Sequence, residues 1–181
     1  MTRLATPTPD NAPEASRPTL DAVQRQLGVV PNLFRVIANS PATLVGFAAF
    51  QGALSKTLDA RARERIALAV AQVNGCDYCL SAHTYLGLNL ARLSPGEIAL
   101  NRKGVSGDTK AHAAVNFAAK VARERGHVSE ADVASVRAAG FSDAQIVEIV
   151  GLVAENTFTN YLNEVARTEI DFPVVLAADA A

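Results

Sequence analysis

The chain of 181 residues is predicted to be all-α on three observations. No stretch alternates apolar and polar residues, with β-branched side chains, for long enough to form a strand. Apolar positions such as Ala62, Ile66, Ala69 and Val73 recur instead at helical spacing. The segments between are punctuated by Ser or Asp at their starts and Gly at their ends, as helix caps require.

In order, Thr19 caps a short helix ending at Gly28, and Pro31 opens a second through NLFRVIAN. Ser40-Pro41 sets a cap directly before a proline at the first helical position and starts ATLVGFAAFQGALSKTL. Asp59 caps ARARERIALAVAQVN, which Gly75 ends, and a helix from about Cys76 to Leu93 follows. In Ser94-Pro95-Gly96-Glu97 the glutamate stands at capping-box distance from the serine. Asp108 opens a helix closed by Gly126, and Ser129 opens one closed by Gly140. Ser142 opens a last long stretch, with a break expected near Asn156-Thr157. Residues 1–18, rich in Pro, Thr, Asn and Asp, are expected as a flexible arm, and 19–181 as one helical domain.

Composition narrows the class. Apolar residues make up 49% and charged residues 19%, a balance that suits a packed core rather than disorder. No apolar run approaches the ~18 residues of a membrane span, and the N-terminus lacks a signal-peptide pattern. A net charge of −1 without a basic cluster gives no footprint for nucleic acid or an anionic membrane. The expected setting is cytoplasmic, where thiols are kept reduced and a Cys pair points to redox or metal chemistry. An internal echo adds one architectural expectation. RIALAVAQVNGCDYC aligns with EIVGLVAENTFTNYL, pairing Ile66 with Ile149, Ala71 with Ala154 and Tyr78 with Tyr161. It reads as a duplicated helix-turn-helix whose second copy has Thr159 and Leu162 in place of the cysteines.

The two cysteines of the chain fall together in NGCDYCLSAH, residues 74–83. With Gly75 ending a helix, Cys76 and Cys79 are placed in the first turn of the next, where free N–H groups and the helix dipole favour a thiolate. His83 is one turn beyond Cys79 on the same face, at a spacing that suits proton exchange with the thiol. His112 and His127 have no such partner. If the helices on either side fold back at Gly75, Glu64 lies about 17 Å along its helix from Cys76 and so falls beside His83. The dipole favours Cys76 as nucleophile and the histidine favours Cys79, so these residues alone leave that choice open.

Glu64, eleven residues, Cys76-Asp77-Tyr78-Cys79, three residues, His83: this spacing resembles the signature of the AhpD-like alkylhydroperoxidases of the carboxymuconolactone decarboxylase superfamily. The resemblance runs from PNLFRVIANSP at residue 31 through the helix that follows His83, and more weakly to about residue 166. It implies an all-helical bundle that assembles as a homotrimer or homohexamer. It also implies a metal-free and cofactor-free thiol peroxidase, in which Cys79 attacks a hydroperoxide, Cys76 resolves, and His83 and Glu64 relay protons. An external dithiol, of lipoyl type by the same resemblance, would reduce the pair. The chain departs from the best-known members in having Tyr78, not histidine, between the cysteines, which throws the relay onto His83 and water.

Other readings of the same residues are a dithiol partner or redox sensor, and a zinc site built from Cys76, Cys79, His83 and Glu64. The decarboxylase branch has no need of a cysteine pair. Phe34, Phe47, Phe50 and Tyr85 are candidates to line a pocket, with plain core packing the favoured alternative.

Overall fold

In the computed structural model, which describes residues 2–179, the expected caps set the helix starts. Ser40, Asp59, Ser94, Asp108, Ser129 and Ser142 each accept the backbone N–H of the residue three places on, satisfying a donor that the helix cannot. The elements are α1 (Arg17–Leu27), α2 (Asn32–Ile37), α3 (Pro41–Leu54), α4 (Ala60–Asn74), α5 (Asp77–Asn89), α6 (Pro95–Arg102), α7 (Thr109–Arg123), α8 (Glu130–Ala138) and α9 (Asp143–Ala166). There is no strand among the described residues, and the fold is all-α.

Several boundaries differ from expectation for local reasons. α1 starts at Arg17 rather than after Thr19, because Pro18 suits a first helical turn. α5 stops at Asn89, short of Leu93: the N–H groups of Ala91 and Leu93 turn back to Leu86 and Gly87, and Arg92 takes a φ of 56°. α9 runs through Asn156-Thr157 without a break. The Asn156 amide donates to the Leu152 carbonyl and the Thr159 hydroxyl to that of Asn156, so both are satisfied on their own helix. The second half of the sequence echo is therefore one continuous helix, and no turn is duplicated.

Residues 2–18, expected as an arm, lie against the bundle. Arg35 donates to the carbonyls of Thr6 and Pro7, Arg3 N–H donates to Ala166, and Ala12 is buried beside Leu20 and Phe34. Met1 of that arm, and Ala180 and Ala181 of the domain, lie outside the described residues.

α4 is the hub. The six residues Ile66–Ala71 are all buried, so the helix is covered on every side, by α5, α6, α7 and α9. Ile66 and Val70 pack with Phe117, Ala118, Ile149 and Leu152, while Leu68 and Ala71 face α5 and its cysteines. A side chain at Gly151 would meet Leu54 at 3.2 Å, so glycine allows α9 to approach α3 closely.

One polar cluster ties α6 and the loop after it to α4. Ser94 caps α6, but Glu97 does not return to the Ser94 N–H as a capping box would. Its carboxylate accepts instead from Arg65 at 2.9 Å, Asn101 at 3.0 Å, the Gly107 N–H at 3.0 Å and the Ser106 hydroxyl. Burial opposes its charge, but the donors of Ser106, Asn101 and Gly107 and the Arg65 charge outweigh that and hold its pKa down to about 2. The folded pKa is depressed, so this contribution to stability is complete above the ordinary carboxylate pKa of 4.5 and is lost as pH falls toward 2. Glu97→Ala is expected to lower unfolding stability by roughly 2–3 kcal/mol at pH 7 in urea titration. The deficit should shrink between pH 4.5 and 2; a pH-independent deficit would refute the assignment.

Candidate redox site

The site begins at Gly75, which takes φ 69° and ends α4 in a left-handed turn that a side chain would strain. The turn lets α5 run back along α4. Cys76 becomes the N-cap of α5 in place of Ser or Asp, its Sγ accepting the Cys79 N–H at 3.3 Å. Cys76 and Cys79 are joined as a disulfide, with Cα atoms 5.3 Å apart. Both are buried, at 0% and 3% exposure.

Further along, the fold-back brings Glu64 to His83, as the helix arithmetic requires. Nδ1 of the imidazole and Oε2 of the carboxylate are 2.8 Å apart, and both side chains keep about a fifth of their surface open. Burial works against a charged imidazole. The charge and hydrogen bond of Glu64, with the more distant charge of Glu155, overcome it and raise the His83 pKa above its ordinary value. With Nδ1 engaged, Nε2 is the nitrogen left for proton exchange.

Two residues of this site had no signal in the local motif, because both come from α9. Asn163, 2% exposed, donates from Nδ2 to Cys79 Sγ at 3.3 Å. Glu155 accepts from Gln51 at 3.2 Å, and burial raises its pKa despite the Gln51 hydrogen bond and the nearby His83 and Arg63 charges. It also lines a groove of about 270 Å³ between α3 and α9, with Phe47, Phe50 and Phe158 on the walls. Of the four aromatic residues expected near a pocket, Phe34 and Phe47 are buried in the core. Phe50 and Tyr85 are each 43% exposed.

Tyr78 points away from His83. Its hydroxyl accepts the Leu33 N–H at the start of α2 at 3.1 Å, and its ring meets Phe172 edge-on. Burial, beside the Asp171 carboxylate, raises the phenol pKa well beyond its usual value, so it stays protonated. The C-terminal segment crosses the same turn of α5: the Ala177 N–H donates to Asp77 at 2.7 Å and the Val175 N–H to Ser81 at 2.9 Å. Among the described residues, no three His, Cys, Asp or Glu side chains converge to hold a metal ion.

Residues 41–124, which span α3 to α7 and include Glu64, Cys76, Cys79 and His83, match the sequence model of the carboxymuconolactone decarboxylase family. The fold is similar to that of the alkylhydroperoxidase AhpD core, an uncharacterized peroxidase-related protein from Ralstonia eutropha JMP134. The TM-score is 0.83 at 26% identity, covering 94% of this chain and 92% of that one. A peroxidase-related protein from Silicibacter sp. TM1040 superposes with a TM-score of 0.80 at 28% identity, over 93% and 91% of the two chains. The fold alone is shared with the debrominase Bmp8, solved in complex with 2,3,4-tribromopyrrole, at 18% identity and a TM-score of 0.79 over 94% and 92%. No curated protein matches the chain.

Removing the partner of the imidazole gives a direct check. Glu64→Gln is expected to lower the His83 titration midpoint, followed by NMR of the ring protons. Because the folded pKa is raised, the pair stabilises the fold fully below the unfolded value of about 6.5, and the contribution fades as pH rises through the folded value. The stability gap between wild type and variant should therefore be wider at pH 6 than at pH 9. An unmoved midpoint would show that Glu64 does not control the ring.

Proposed function

We propose that this chain, which carries the carboxymuconolactone decarboxylase family segment in an AhpD-like all-helical fold, is a thiol-dependent hydroperoxide reductase. The observation that carries this reading is the buried Cys76–Cys79 pair, one helical turn from an imidazole held by a carboxylate. A pair that closes a disulfide within one helical turn can give two electrons to a substrate without rearranging the fold.

In the reduced protein, His83 takes the proton of the Cys79 thiol and Glu64 stabilises the resulting imidazolium. The Cys79 thiolate attacks the distal oxygen of ROOH. An S–O bond forms, the O–O bond breaks, and RO⁻ leaves with the proton that His83 returns, giving ROH and a Cys79 sulfenic acid. The Cys76 sulfur then attacks Cys79, expelling the sulfenic oxygen as water and forming the disulfide. An external dithiol reduces the disulfide and is itself oxidised, so the sum is ROOH plus dithiol to ROH, water and a cyclic disulfide. The cycle calls on no metal or organic cofactor. Tyr78, its phenol turned toward Leu33, takes no part in the relay.

The same reading extends to assembly. Val147, Val150, Phe158, Tyr161 and Val165 leave the outer side of α9 apolar and exposed, which suits contact between copies in a homotrimer or homohexamer. Light scattering should then return three or six chain masses, and a monomer would exclude that arrangement.

The central test mixes reduced protein with one equivalent of an organic hydroperoxide and counts free thiols over time. Wild type should lose two thiols per chain. Cys79→Ser should lose none at the fast rate, and Cys76→Ser should lose one and accumulate sulfenic acid. If wild-type thiols disappear no faster than those of an ordinary exposed cysteine, the protein is a dithiol redox partner or sensor instead.

A further inference from the structure

The two sulfurs of the pair are unequal in a way that the Cys-x-x-Cys spacing does not encode. Cys76 Sγ accepts a backbone N–H from its own helix turn, as any N-cap side chain would. Cys79 Sγ accepts a side-chain amide N–H from Asn163, 84 residues away on α9, at 3.3 Å. The amide is 2% exposed, and its Oδ1, closed off from solvent, has no hydrogen-bond partner among the described residues. An asparagine is not placed in such a position by helix propensity or by apolar packing. Burying it costs free energy unless its groups are used.

A sulfur's capacity to accept that hydrogen bond depends on its charge. A thiol or disulfide sulfur is a weak acceptor, whereas a thiolate is a strong one. A donor fixed on Cys79 therefore favours the charged form of that sulfur over its neutral forms.

We propose that Asn163 is a catalytic residue of the site: its amide N–H holds the Cys79 thiolate and offsets the advantage that the N-cap position gives Cys76. This rests on the reading of the pair as redox-active and adds a tertiary contact to the choice that the motif leaves open. In the peroxide step the amide donates to the attacking sulfur. When a dithiol opens the disulfide, the same hydrogen bond stabilises Cys79 as the departing thiolate, while the new S–S bond forms to Cys76. The leaving electron pair stays on Cys79, and a proton from His83 neutralises it later.

The charged groups around Cys79 leave this role to the amide. On α5, Asp77 accepts the Ala177 N–H and His83 is engaged with Glu64 of α4. Tyr78 faces Leu33 and Asp171 of the C-terminal segment. On α9, Glu155 lies toward His83 and Gln51. On α6, Glu97 is taken up by Arg65 of α4, and Arg102 by Gln72 and the Leu176 carbonyl. On α2, Arg35 is directed to Thr6, Pro7 and Asn32. None of these contacts supplies an N–H to the sulfur.

The test is thiolate absorbance against pH in a Cys76→Ser background, where Cys79 is the sole thiol. Adding Asn163→Ala should raise the Cys79 midpoint by about one unit, and the near-isosteric Asn163→Asp should raise it further by setting a carboxylate beside the sulfur. Asn160→Ala is the control. Asn160 is an equally buried neighbour on α9 whose Oδ1 accepts from Asn74 rather than reaching sulfur, and its removal should leave the midpoint in place. Hydroperoxide reactivity of the Asn163 variants should fall about tenfold at pH 7 and return to the parent's value above the raised midpoint. A purely structural defect would not be repaired by pH. An unmoved midpoint in both Asn163 variants, or an equal shift in Asn160→Ala, would overturn the assignment. Because the titration needs no turnover, a shifted midpoint with slow peroxide reaction would sink the peroxidase reading and leave this one standing.

Discussion

The reversal of the chain at Gly75 is the constraint on which the site depends. One left-handed residue ends α4, turns its neighbour into the N-cap of α5 and sets the two helices side by side. Three consequences follow from that single conformation. Cys76 is placed over the free N–H groups of a helix start, Cys79 follows it in the same turn, and residues nineteen apart in sequence, Glu64 and His83, meet at 2.8 Å. None of these needs a loop of its own. The chemistry is mounted on two packed helices, one of them buried on every side, so its geometry is as rigid as the core.

That rigidity is reinforced at the start of α5. The first turn of α5 has fewer helical hydrogen bonds than its middle, yet Asp77, Tyr78 and Ser81 all reach outward to other parts of the chain. Asp77 and Ser81 hold the C-terminal segment, and Tyr78 receives the N–H of Leu33. Both residues between the cysteines, Asp77 and Tyr78, are thereby engaged in anchoring. In a relay with a second imidazole in place of Tyr78, two bases would share one sulfur. Here the phenol stays protonated, and the imidazole of the site is His83, tied to Glu64 and felt by Glu155.

What was legible in the sequence follows from range. The caps, the Gly75 turn and the Glu64–His83 meeting are consequences of local spacing and helix periodicity, and these can be computed from residue numbers. Asn163 and Glu155 could not be found in this way. They reach the site because α9 packs along α4 and α5, and no spacing in one sequence reports that register. The buried polar run Asn156, Asn160 and Asn163 was visible as letters, and it is the signal that could have raised the question. In the sequence, Asn156-Thr157 reads instead as a helix break, because Asn and Thr favour turns by bonding to nearby backbone. In α9 the tertiary partners take those side chains, or they bond back to their own helix, and the helix continues.

The contrast between local motif and distant support also bears on why one fold serves different reactions. The helical frame is shared with peroxidase-related proteins and with a debrominase, so the frame alone does not select a substrate. Selection has to come from the side chains that the frame carries. The groove between α3 and α9 is walled by Phe47, Phe50 and Phe158, and Glu155, which lines it beside Thr43, is felt electrostatically at His83. Burial among such side chains raises the pKa of the Glu155 carboxyl, so it holds its proton to a higher pH than a free one. The local motif supplies the cysteine pair and the imidazole, while α9 adds Asn163 at the Cys79 sulfur and, two turns away, Glu155 within electrostatic reach of His83.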